Sequence, residues 1–149
     1  MMRASFSVLD EAGGWVSEEA LTADLPRAAL LFADPPRMEG GLVIEDPDSG
    51  VRVDVGDTMD ALIAAFCQGG LDRLERDNRA EIKFLDRRET LTVTCEGELV
   101  RFDSPESGQQ AFPHHAYVAA MRDCGERYRK LVDAVGALGP TGFEPREEA

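Results

Sequence analysis

The residues of this chain best suited to chemistry are two histidines, His114 and His115, three cysteines, Cys67, Cys95 and Cys124, and a run of carboxylates between Glu45 and Asp60. An imidazole is the usual general base at neutral pH, so an enzyme reading of the chain rests on His114 or His115. Such a base needs a nucleophile or carboxylate partner, and the linear sequence identifies none. Neighbours on a helix point about 100° apart, whereas histidines that share a metal stand four apart, so the pair lacks the spacing of a metal site.

The cysteines are odd in number and widely spaced, with no C-x-x-C pair. They read as unpaired, buried, small apolar residues in a reducing, cytoplasmic compartment. No G-x-S-x-G elbow, P-loop, G-x-G-x-x-G or H-E-x-x-H occurs, and Cys124 falls on an apolar helix stripe rather than at a strained turn. The expectation is a protein that is not an enzyme and that uses neither a metal nor a cofactor.

Asp46-Pro47-Asp48-Ser49-Gly50, followed by Asp54 and Asp57, shares with calcium loops an alternation of oxygens. It departs where the loop matters: Gly50 stands at a ligand position, Val51 at the sharp-turn glycine and Asp57 at the bidentate glutamate. A hairpin turn explains the run better. Yet Glu45, Asp46, Asp48, Asp54, Asp57 and Asp60 fall within 16 positions that hold one base, Arg52. Turn and cap chemistry does not require six acids. The expectation is a partner-binding patch, projected into solvent by a hairpin tip and a helix start.

The net charge is −13, and residues 1–60 hold 13 acids against 4 arginines while residues 61–149 hold 16 against 12 basic residues. A phosphate backbone and an anionic membrane both call for a basic surface, so neither nucleic acid nor membrane is an expected partner. An acidic surface steers a basic protein, and it also simply keeps a protein dispersed. Arginine outnumbers lysine 14 to 2, the codon signature of a GC-rich, bacterial coding sequence. The reading that follows is a cytosolic binding protein that masks a basic partner, as an immunity protein masks a bacterial toxin; this is an analogy of physical character. Two other classes stay open: a small enzyme or metal-dependent protein using His114 or His115, and a structural homodimer or accessory chaperone.

The elements that must position these groups have an α+β pattern. Ala4 to Leu9 alternates as a first strand, Asp10 to Gly14 as a turn, and Ser17 caps a short helix that Pro26 ends; Ala28 to Phe32 reads as a short strand or extended segment. Leu42 to Ile44 and Val51 to Val55 form the hairpin. Asp57 is the expected N-cap, with Asp60 at the capping-box position, of a helix whose stripe is Met59, Leu62, Ile63, Phe66 and Cys67 and which Gly69-Gly70 stops or kinks. Ala80 to Phe84, Leu91 to Cys95 and Val100 to Phe102 read as a three-stranded meander, joined through Asp86-Arg87-Arg88 and Glu96-Gly97-Glu98. A polar loop from Ser104 to Gln110 leads to Pro113 and a last helix, striped by Tyr117, Met121, Cys124, Tyr128, Leu131, Val135 and Leu138, that ends at Gly139-Pro140. That stripe serves packing on a sheet, or a homodimer through Tyr117 to Leu138. The expected architecture is a mostly antiparallel sheet made of the N-terminal strands, the hairpin and the C-terminal meander, with two main helices packed on one face, in one domain of residues 1–139 followed by a loose acidic tail, 140–149. The N-terminus has no apolar stretch of signal-peptide length, and no segment reaches the about 20 apolar residues of a membrane span.

Overall fold

Alternating apolar residues along β1 (Arg3–Leu9) set Ala4, Phe6 and Val8 on one side and Ser5 and Ser7 on the other, and every strand pairing built on this one is antiparallel. The computed structural model describes residues 2–33, 38–84, 90–104 and 108–138. β2 (Trp15–Ser17) pairs with one side of β1 and β3 (Glu39–Asp46) with the other, and β4 (Val51–Thr58) completes a first sheet in the order β2-β1-β3-β4. β5 (Arg79–Lys83), β6 (Thr90–Glu96), β7 (Leu99–Ser104) and β8 (Gly108–Pro113) form a second, in sequence order. The fold is α+β, with two four-stranded sheets where one was expected; β4 lies against β8 at the seam.

The meander gains β8 because Ser104 to Gln110 is not all loop. Gly108 adopts a positive φ of 74° and returns the chain along β7, which sets Phe112 beside Val100 on the inner side. The Glu96-Gly97-Glu98 turn forms as expected, whereas the Asp86-Arg87-Arg88 connection and the tail 140–149 lie outside the described residues.

Among the described residues five helices pack against the sheets or one another: α1 (Glu18–Ala23), α2 (Leu25–Leu31), α3 (Met59–Cys67), α4 (Gly69–Asp77) and α5 (His114–Gly136). Ser17 caps α1 by accepting the Ala20 amide. The expected extended segment from Ala28 to Phe32 is instead mostly helix. Asp24 accepts the Arg27 amide and Pro26 sits in the first turn, where its missing N–H costs nothing, so this proline begins a helix rather than ending one. Asp57 belongs to β4 and is not the cap of α3; Thr58 holds that position, without a side-chain bond. The expected stripe of α3 is buried throughout, and α4 follows it after Gln68.

α5 is 23 residues long, about 34 Å at 1.5 Å per residue, which lets it reach both sheets. Near its start Tyr117 meets Phe102 at 5.6 Å between ring centroids and Phe112 at 6.0 Å; further on, Tyr128 meets Phe6 of β1 edge-on at 5.3 Å. One apolar core therefore runs under both sheets. The stripe from Tyr117 to Leu131 is covered by the chain's own elements, while Val135 is half-buried and Leu138 exposed, and the helix ends at Gly136, before Gly139-Pro140. A homodimer through α5 would have its exposed face, with Val132 and Leu138, to work with. No helix among the described residues is long and apolar enough to cross a membrane.

α3 and α5 cross where Gly125 faces Cys67. A Cβ at Gly125 would stand 2.9 Å from Cys67 Cβ and 3.3 Å from its carbonyl oxygen. Cys67 lies beside Cys124 at this crossing, and the neighbouring thiol together with burial pushes the Cys67 thiol up. Gly125→Ala would gain about 1 kcal/mol of helix propensity, but a clash against β-carbon and backbone cannot be relieved by swinging a flexible side chain. The variant should lose about 1–2 kcal/mol in urea unfolding. A gain in stability would show that the helices do not approach this closely.

Candidate functional site

The six carboxylates of the expected patch divide into two groups. Asp46 is 5% exposed: its Oδ1 accepts the Asp48 amide at 3.2 Å, its Oδ2 the Ser49 hydroxyl at 2.9 Å, and its carbonyl the Gly50 amide at 2.8 Å. Asp57 is 4% exposed, on the inner side of β4 opposite Gly40, and accepts the Thr58 amide at 2.8 Å. These two carboxylates build the hairpin turn and the strand-to-helix corner, which corrects the expectation that all six project into solvent. Glu45 and Asp54 lie on the outer face of the first sheet, where Arg52 bridges them at 3.2 and 3.1 Å. Asp48 is exposed at the hairpin tip. Asp60, exposed on α3, accepts from the Tyr128 hydroxyl at 3.3 Å, and burial and this carboxylate push the Tyr128 phenol up.

What the acid count alone did not reveal is the surface on which Glu45 and Asp54 stand. Strand register places Ser17, Ser7, Gly41 and Gly56 in one row across the outer face of the first sheet. The neighbouring row begins with Trp15, 59% exposed, and carries Leu9, Glu39 and Thr58. The row on the other side holds Ser5, Val43 and Asp54. Four small residues between bulkier rows make a trough of about 430 Å³, lined by Trp15, Ser7, Gly41, Val43, Arg52 and Asp54 among others.

The two glycines in this trough are not demanded by the backbone. Neither has a positive φ, and a Cβ would meet ordinary contacts, no closer than 3.4 Å at Gly41 and 3.5 Å at Gly56. Gly40 differs, since a Cβ there would collide with Met59 Sδ. Glycine inside a strand weakens it. At positions 41 and 56 its evident consequence is an open sheet face beneath an exposed indole. The signal was present in Trp15 and Gly41, but only the register brings Gly56 and Ser7 beside them.

The histidines start α5, their rings nearly parallel with centroids 5.7 Å apart. His114 Nε2 lies 3.8 Å from Cys95 Sγ, a neighbour that the linear sequence did not pair with it. Cys95 is half-buried, whereas Cys67 and Cys124 are buried; all three thiols are free. Among the described residues, no group of three or more His, Cys, Asp or Glu is placed to hold a metal ion. Searches against family models, curated proteins and solved structures return no match to this chain.

Proposed function

We propose that this chain is an acidic binding protein that masks a basic protein partner through the outer face of its first sheet, in the manner of an immunity protein neutralising a toxin. The observation that carries the reading is the trough beneath Trp15, 59% exposed, on a face that also bears Glu39, Glu45 and Asp54. Exposed tryptophan is a preferred anchor of protein interfaces, because one rigid ring removes a large area from water. Its face also attracts a lysine or arginine cation. Arg52 bridges Glu45 and Asp54 and Arg3 stands across from Glu45 in the strand register, so the negative field on this face comes from Glu39 and from the net charge of −13 rather than from that corner alone. The occupant that fits is a basic segment, with an aliphatic stem along Val43 and the glycine floor and a cationic end near Trp15 and Asp54.

The test is binding to the tagged product of the neighbouring reading frame, with Glu45→Gln, Asp48→Asn and Asp54→Asn combined in one variant. Asp46 and Asp57 are left intact because they hold the turn and the corner. Exposed substitutions of this kind change stability by about 0.5 kcal/mol each, so the melting temperature should move by only a few degrees. Association should slow by about tenfold at low salt and lose much of its salt dependence. Unchanged rate and salt slope would make the acids a solubility feature and remove them from the interface.

A further inference from the structure

Cys95 and His114 form a pair that the proposed interface does not use. β6 carries Cys95 on its inner side, in register with Val100 of β7, which in turn faces Phe112 of β8. Immediately after β8 the chain turns into α5, and the His114 amide donates to the Glu98 carbonyl at 2.7 Å, which clamps the helix start onto the β6–β7 turn. The Cys95 amide donates to the Asn78 carbonyl at 2.9 Å. Both backbones are thus held, and the side chains meet with Sγ 3.8 Å from Nε2. His115 stacks on the His114 ring. Cys95 is half-buried as a residue, while Cys67 and Cys124 are 6% and 0% exposed.

We propose that Cys95 and His114 form a reactive thiol–imidazole site that takes up low-molecular-weight disulfides as mixed disulfides. His114 Nε2 accepts the Cys95 proton as the sulfur attacks one sulfur of the disulfide. The S–S bond of the reagent breaks, its other half leaves as a thiolate, and that thiolate takes the proton from the imidazolium. The balance is Cys95–SH plus RSSR giving Cys95–S–SR plus RSH, with no net change of electrons. Burial and the Glu75 carboxylate of α4 push the Cys95 thiol up, so the resting sulfur keeps its proton. A thiol in that state is sluggish without a base. The imidazole at 3.8 Å is therefore what makes the site reactive, rather than a standing thiolate.

The probe is 4,4′-dithiodipyridine, whose neutrality spares it repulsion by a chain of charge −13. At pH 7 the native protein should show one fast thiol, absent in Cys95→Ser, that reacts several-fold faster than N-acetylcysteine. Cys67 and Cys124 should react only on unfolding. His114→Gln should slow the fast phase at least tenfold with an unchanged melting temperature, and His115→Gln should leave it within twofold. A wild-type Cys95 slower than N-acetylcysteine would overturn the proposal without any variant, and so would equal rates for wild type and a folded His114→Gln.

Discussion

Arg127→Met will destabilise the protein by about 3 kcal/mol, the low end of the range for orphaning one member of a buried ion pair. The Arg127 guanidinium reaches across the fold from α5. One terminal nitrogen pairs with Glu18 at the start of α1, the other donates to the Ala4 carbonyl of β1 at 2.5 Å, and Nε donates to Asp123 at 2.8 Å. Glu18 is only 10% exposed at its side chain, and its second oxygen, Oε1, is buried with no hydrogen-bond partner among the described residues. Removing Arg127 leaves that carboxylate buried without its ion-pair partner.

The reverse deletion is milder for a geometric reason. After Glu18→Leu the guanidinium keeps Asp123 and the Ala4 carbonyl, and its 26% exposure lets water reach it. The cost should be about 1–2 kcal/mol. Combining Glu18→Leu with Arg127→Met replaces the pair by apolar volume and should return stability to within about 1 kcal/mol of wild type. Urea denaturation of the three variants measures this asymmetry. If both single variants cost less than about 1 kcal/mol, the pair is not desolvated as its burial implies.

This ion pair shows where sequence reasoning stops. Glu18 reads correctly as a first-turn acid behind the Ser17 cap, yet nothing local says that it faces inward, because its partner lies 109 positions away. Elements defined by their own periodicity were legible: the β3–β4 hairpin with its Asp46 turn, the α3 stripe and the α5 stripe as far as Leu131. Elements whose local signals conflict were not. Pro26 can end one helix or begin the next, and only the Asp24 cap decides between them. β8 has a single buried anchor, Phe112, behind two glutamines, so its strand character comes from pairing with β7. The split into two sheets is likewise a tertiary outcome, since both sheets have the same alternation and share one core. At the candidate site the acids were visible in the sequence but their sorting was not. Asp46 and Asp57 turn inward through strand register and turn hydrogen bonds, while Glu45 and Asp54 turn outward.

Filling the trough tests the proposed interface without removing a charge. Gly56→Val adds a β-branched side chain to a strand at a position with no positive φ and no contact closer than 3.5 Å, so the fold should tolerate it or gain slightly. The added methyl groups would occupy the floor on which a partner's side chain is proposed to rest. Affinity should fall by about 2 kcal/mol, close to thirtyfold, and Trp15→Ala should cost a similar amount by removing the wall of the same trough. Trp15 is the only tryptophan in the chain, so its fluorescence reports on this surface alone, provided the partner's own tryptophans are masked or absent. Binding of the wild type should shift Trp15 emission to the blue as the indole leaves water, and Gly56→Val should need a correspondingly higher partner concentration for the same shift. Calorimetry with both variants supplies the affinities. Wild-type affinity in Gly56→Val, together with an unshifted Trp15 emission, would show that the partner docks elsewhere, since no basic segment can sit in the trough and leave both unchanged.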